Sequence, residues 1–148
     1  KGAIIGFDDS HTKAHLYRAI VEGIAYALFV GANTLEQRQK SPIKELRITG
    51  GGSQSDAIMQ ITADVFGIPA VRIHTQEATG LGAAMSLAVS TGVYANHEEA
   101  VQAMCHQQQV FYPDSRTHAQ YQHIINTIYA PMYKRLKPLY QRMQKMQN

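Results

Sequence analysis

The stretch Leu46-Arg47-Ile48-Thr49-Gly50-Gly51-Gly52-Ser53-Gln54-Ser55-Asp56 limits what this chain can fold into more than any other. A short apolar run breaks at three consecutive glycines. Apolar residues at helical spacing then resume through Ile58, Met59, Ile61, Thr62 and Val65. The order is strand, glycine turn, helix. Glycine has no Cβ, so a ligand can approach the backbone here. The helix that follows offers unpaired N–H groups and the positive end of its dipole. Such a turn favours a nucleotide, on its phosphate or ribose side. It is equally ordinary loop chemistry, and both readings stand at this point. Two familiar phosphate motifs fit poorly. A Walker turn needs Gly-Lys-Ser/Thr, and no lysine occurs between Arg47 and Lys134. A dinucleotide fingerprint starting at Gly50 needs a third glycine where Ser55 stands.

A chain of 148 residues suits one domain of ordinary size. Hydrophobic residues make up 45% and charged residues 17%, which is a globular composition. The net charge of +3 is too small to imply nucleic acid. The basic excess is local. After Asp114 no acidic residue occurs, while Arg116, Lys134, Arg135, Lys137, Arg142 and Lys145 follow, as on a solvated helix face. Cys105 is the single cysteine, so no internal disulfide forms, which fits a reducing, cytoplasmic setting. No uninterrupted apolar run approaches the ~20 residues of a membrane span. The chain opens at Lys1 and enters an apolar run at once, and it reads as a fragment of a longer protein.

Taken in order, Ala3 to Phe7 is a short strand or an extended entry. Asp8 to Thr12 offers helix caps. From Lys13 to about Gln39, apolar residues three and four apart predict one long amphipathic helix, ended by Ser41-Pro42. Gly23 and Gly31 within it point to close packing on a neighbour. Glu45 to Thr49 is the strand before the glycines. Ser53 with Asp56 resembles a capping box, and Gly67 suits the end of that helix. Pro69 to Ile73 is a second strand. Ala78 to Ser90 is a helix of small residues, and Asn96 caps another that runs to His106. Gln107 to Gln109 reads as a polar linker, and Val110 to Pro113 as an extended segment pinned to the surface. A long helix follows Asp114, with Pro131 and Pro138 bound to kink or divide it. Alternating helix and strand predict an α/β fold with a parallel pair. His11 and His15 have a metal-compatible spacing, but no third ligand is evident, so no metal site is assigned.

Three segments together resemble the FGGY carbohydrate kinases. His15 to Tyr26 contains Arg18-Ala19-Ile20-Val21-Glu22-Gly23-Ile24-Ala25, similar to that family's "RA-x-x-E-G-x-A" helix. The glycine stretch Ile48 to Ser55, with Gln60 to Gly67 behind it, resembles the family's adenosine-binding segment. Glu77 to Ala84 resembles its "E-x-T-A-L-G-A-A" helix, with Gly80 where alanine is usual. The resemblance implies a ribonuclease-H-like fold of the actin and hexokinase ATPase type, truncated at its N-terminal strands. It implies one unit over residues 1–148, most of the C-terminal domain of a kinase whose two domains close over ATP and a sugar. The implied cofactors are ATP and Mg²⁺, and the implied substrate is a sugar, possibly a pentulose. Nucleic acid and membrane are not implied as partners. The truncated sheet leaves an exposed edge, and self-association into a homo-oligomer is expected from that edge. By position, Gly50, Gly51 and Gly52 pass the nucleotide, and Ser55 faces its adenine or ribose. Glu77 and Thr79 support the pocket. The family's base, an aspartate, lies upstream, so neither Asp8 nor Asp9 takes that role and no catalytic residue is assigned. A non-catalytic interaction module of actin-like fold is the alternative, and dinucleotide binding a third.

Overall fold

The computed structural model describes residues 3–146. Residues 3–7 form no strand; they lead as an irregular segment, with Gly6 at positive φ, into α1 (Lys13–Gln39). The helix begins and ends where its apolar spacing predicts. Thr12 is the N-cap, and His15 stands where a capping box has glutamate. Its Nδ1 accepts from the Thr12 N–H at 3.0 Å. At the other end Lys40 turns left-handed, φ 52°, before Pro42.

Then come β1 (Leu46–Ile48), the glycine turn, α2 (Asp56–Phe66), β2 (Ala70–Ile73), α3 (Ala78–Ser90) and α4 (His97–Met104). The chain continues through β3 (Gln107–Phe111), α5 (Ser115–Ile124) and α6 (Ala130–Lys145). Among the described residues the sheet has the order β1-β2-β3. β1 and β2 are parallel, as the α/β alternation predicts, with Ile48 opposite Arg72. β3 runs antiparallel to β2 and is the correction to the polar linker expected at Gln107 to Gln109. Those three glutamines face solvent on an edge strand, while Phe111 turns into the core.

Helix α2 is the centre of the fold because it is apolar on two faces. Met59 and Ala63 pack on Ala70 and Phe111 of the sheet. Val65 packs with Ala25 and Tyr26 of α1, with Tyr121 of α5 and with Ile125. Burying a large apolar side chain stabilises by about 1.5–3 kcal/mol, and Met59, Val65 and Ile125 are all at most 2% exposed. Helix α1 is long enough to cross a bilayer, but Ala25 and Tyr26 make it part of this core.

Three local expectations change. A Cβ built on Gly23 or Gly31 meets nothing within 4 Å, so these glycines do not mark close packing among the described residues. The helix expected to reach His106 ends at Met104, because the His106 carbonyl accepts from the His74 N–H beside β2. The break expected near Pro131 takes the form of a wide π-turn, Ile125–Tyr129, joining α5 to α6. Proline has no N–H, and its ring conflicts with the carbonyl four residues back; one widened turn relieves both.

Candidate functional site

Gly50 opens the turn. Its backbone, φ 84° and ψ −174°, is one that essentially only glycine adopts. Gly51 to Gln54 then form a single short 3₁₀ segment. Its first N–H groups, on Gly51 and Gly52, have no partner inside the segment itself. A Cβ added at Gly50, Gly51 or Gly52 would meet nothing within 4 Å, and Gly51 and Gly52 are exposed. The turn therefore presents open backbone at the carboxyl end of a parallel strand, where α/β sheets bind ligands.

The underside of the turn is closed. Ser53 is 2% exposed, and both its N–H and its hydroxyl donate to the Gly50 carbonyl, at 3.1 and 2.7 Å. This use of Ser53 corrects the capping box expected with Asp56. Ser55 is the cap of α2 instead: its Oγ accepts from the Ile58 N–H at 3.4 Å. The Ser55 hydroxyl keeps its own proton free to donate.

Glu77 and Thr79 lie at the start of α3, both exposed. The Glu77 N–H donates to Thr75 Oγ1 at 3.2 Å, and its carbonyl receives the Leu81 N–H. The structure does not join either residue to the glycine turn through a hydrogen bond among the described residues. His11 and His15 stack edge to face, 5.6 Å between rings, and their Nδ1 atoms serve local bonds to Asp8 and Thr12. Asp8 accepts from the Ser10 N–H and hydroxyl, and those bonds hold its carboxyl below the ordinary range.

The α1 motif faces two ways: Val21, Ile24 and Ala25 share a groove with Gly52 of the turn, while its polar residues face α5. Arg18 donates to Glu22 at 2.8 Å, and the Tyr121 hydroxyl donates to the same carboxylate at 2.9 Å. Burial, and the Glu22 charge after it, push the Tyr26 phenol well above its usual value. Burial pushes Tyr121 the same way. These residues lock α1 to α5 and have no visible part in chemistry.

Arg72, which the sequence reading passed over, is the buried cation behind the turn. Its signal was available: a single charge inside Ala70-Val71-Arg72-Ile73, four positions that are all buried.

Comparison with known proteins follows the same lines. The family model for the C-terminal domain of the FGGY family of carbohydrate kinases matches residues 1–91. A sugar kinase of Escherichia coli K12, YgcE, is 40% identical over 113 residues, 76% of this chain and 23% of that protein. The xylulose kinase of Lactococcus lactis is 32% identical over 135 residues, 90% of this chain and 27% of the relative. The chain thus spans about a quarter of the length of these relatives. Among solved structures, ligand-bound xylulose kinase from Lactobacillus acidophilus superposes with a TM-score of 0.84 at 26% identity. That match covers 97% of this chain and 29% of the other. The fold is accordingly that of the actin-like, ribonuclease-H-like ATPases. With more than half its length matched by one family model, the chain belongs to the FGGY family of carbohydrate kinases, within the region of that family's C-terminal domain.

Proposed function

We propose that this chain is the nucleotide-holding part of an ATP-dependent sugar kinase, and that residues 1–148 act as one unit, most of the C-terminal domain. The observation that carries the reading is the open glycine turn. Gly50, Gly51 and Gly52 offer bare backbone with clear space in front, directly before the N-terminus of α2. Phosphate or ribose oxygens suit that surface, since the first N–H groups of a helical segment lack internal partners. Ser55, at the start of α2, supplies a hydroxyl that can donate to the nucleotide.

The reaction is transfer of the γ-phosphate of ATP to a sugar hydroxyl. Mg²⁺ carried with ATP would supply the charge that offsets the phosphates. This chain's part is to hold and orient the nucleotide, which is most of what such a reaction needs from the protein. The base that accepts the hydroxyl proton and the surface that reads the sugar belong to other parts of a longer polypeptide. A pentulose is the favoured sugar, because the relative from Lactococcus lactis is named a xylulose kinase. A cytoplasmic setting fits the lone, half-buried thiol of Cys105.

The test has two arms. The complete polypeptide carrying this chain phosphorylates a sugar from a pentulose-rich panel in the presence of MgATP. The isolated 148-residue chain does not. Turnover by the isolated chain would overturn the division of roles. Binding of neither ATP nor NAD by the complete polypeptide would favour the non-catalytic interaction module.

A further inference from the structure

Arg72 stands in the middle strand of the sheet, in register with Ile48 of β1 and Gln109 of β3. It is 7% exposed. A guanidinium stays charged in proteins, and burying it is costly unless its donors are matched. Three acceptors from three segments match it. Nε donates to the Ser53 carbonyl, Nη1 to Gln109 Oε1 at 2.9 Å, and Nη2 to Asp56 Oδ1 at 2.6 Å. The Phe111 ring lies against the guanidinium, 5.1 Å from Cζ to centroid. A planar fork can satisfy such a set; an ammonium cannot.

Two of those acceptors belong to the path from the glycine turn into α2. Ser53 is the inner residue of the turn, and its N–H and hydroxyl both hold the Gly50 carbonyl. A bonded chain therefore runs from Arg72 through Ser53 to Gly50, the residue whose left-handed backbone begins the turn. Asp56 fixes the first residue of α2 to the same guanidinium. Its carboxylate also neutralises the arginine, so Arg72 acts by geometry and not as a charge on phosphate.

We infer that Arg72 is a positioning residue: it sets the pose of the Gly50–Gly52 backbone and of the α2 N-terminus from behind, with Gln109 steadying it from β3. The inference rests on the nucleotide reading of the turn. Without Arg72 the Ser53 carbonyl and Asp56 lose their common anchor. The open face of the turn then no longer holds one arrangement, and the loss falls on the nucleotide alone.

The experiment compares Arg72→Met, Arg72→Lys, Gln109→Met and Gly67→Ala in the complete polypeptide. It reads the ATP KM, the sugar KM, the thermal midpoint and the Kd of a non-hydrolysable ATP analogue. Arg72→Met raises the ATP KM and the analogue Kd about tenfold, which is ~1.4 kcal/mol. Arg72→Lys keeps charge and bulk, so it folds even where Arg72→Met does not, and it raises both constants about three- to tenfold. Gln109 is exposed and lies on another strand, yet Gln109→Met raises both about twofold. The sugar KM stays within about twofold throughout. Gly67→Ala, remote from the turn, lowers the midpoint without moving the nucleotide constants. Arginine variants that bind the analogue as the wild type does would overturn the inference. So would parallel losses of ATP and sugar affinity that track the thermal midpoint. A wild-type polypeptide that binds no analogue would overturn the nucleotide reading, and the inference with it.

Discussion

Gly50 and Gly51 sit side by side in the turn but answer different questions. Gly50 carries the strain-prone backbone, φ 84°. Gly50→Ala should lower stability by about 1–3 kcal/mol, read as a shifted urea midpoint. Gly51 has no such constraint, and a Cβ there meets no atom within 4 Å. Gly51→Val should fold as the parent does and lower ATP affinity at least about tenfold, because only a ligand competes for that space. Calorimetric titration checks it; unchanged ATP binding would make the glycines a turn and nothing more. Gly67 is the contrasting case. It caps α2 at φ 70°, and an added Cβ would lie 2.5 Å from the His118 ring. His118 is itself held by the Asp64 carbonyl at 2.9 Å. Gly67→Ala should therefore cost stability, about 1–3 kcal/mol, and leave ATP affinity alone.

The junction of α1 with α5 rests on a carboxylate shared between two helices. Removing the Tyr121 hydroxyl unpairs one side of Glu22, and Tyr121→Phe should cost about 1–2 kcal/mol in urea denaturation. The same junction sets a pH limit. Burial raises the Tyr26 and Tyr121 phenols in the folded state, while the unfolded chain ionises them near pH 10. Folded phenols stay neutral where unfolded ones lose protons, so stability is complete below about pH 10 and falls above it. Urea midpoints from pH 8 to 11 should show that fall, and Tyr26→Phe should flatten it. Elements of this kind differ in how plainly the sequence shows them. Helices α1 and α3 were legible to the residue, since long apolar spacing ends there at Pro42 and Gly92. Strand β3 was legible only at its end, Val110-Phe111, because Gln107 to Gln109 expose every side chain and give no alternation; the burial of Phe111 was not foreshadowed. The π-turn was foreshadowed only by Pro131; its width is a backbone response that no residue pattern records. The glycine turn was legible as a place, but its strained residue and the arginine beneath it emerge only when three distant segments meet.

At the scale of the molecule, α1 is apolar on more sides than its described neighbours cover. Ile24, Leu28 and Leu35 line a groove of about 690 Å³ against β1 and α2. β1 pairs on one side only among the described residues, and unpaired strand edges recruit partners. The isolated chain should self-associate, and a light-scattering mass that stays monomeric across concentration would refute it. The Glu22–Tyr121 bond described above also has a consequence in time. Its two ends lie 99 positions apart, and α1 is made first. A ribosome adding about 5–20 residues per second leaves that helix covered by α2 alone, without α5, for part of the roughly 5–20 s that separate Glu22 from Tyr121. During that interval Tyr26 and its apolar neighbours face whatever surrounds the exit tunnel. The nascent chain, rather than the finished one, is the form most in need of a chaperone, and slowing translation before Tyr121 should lower the soluble yield.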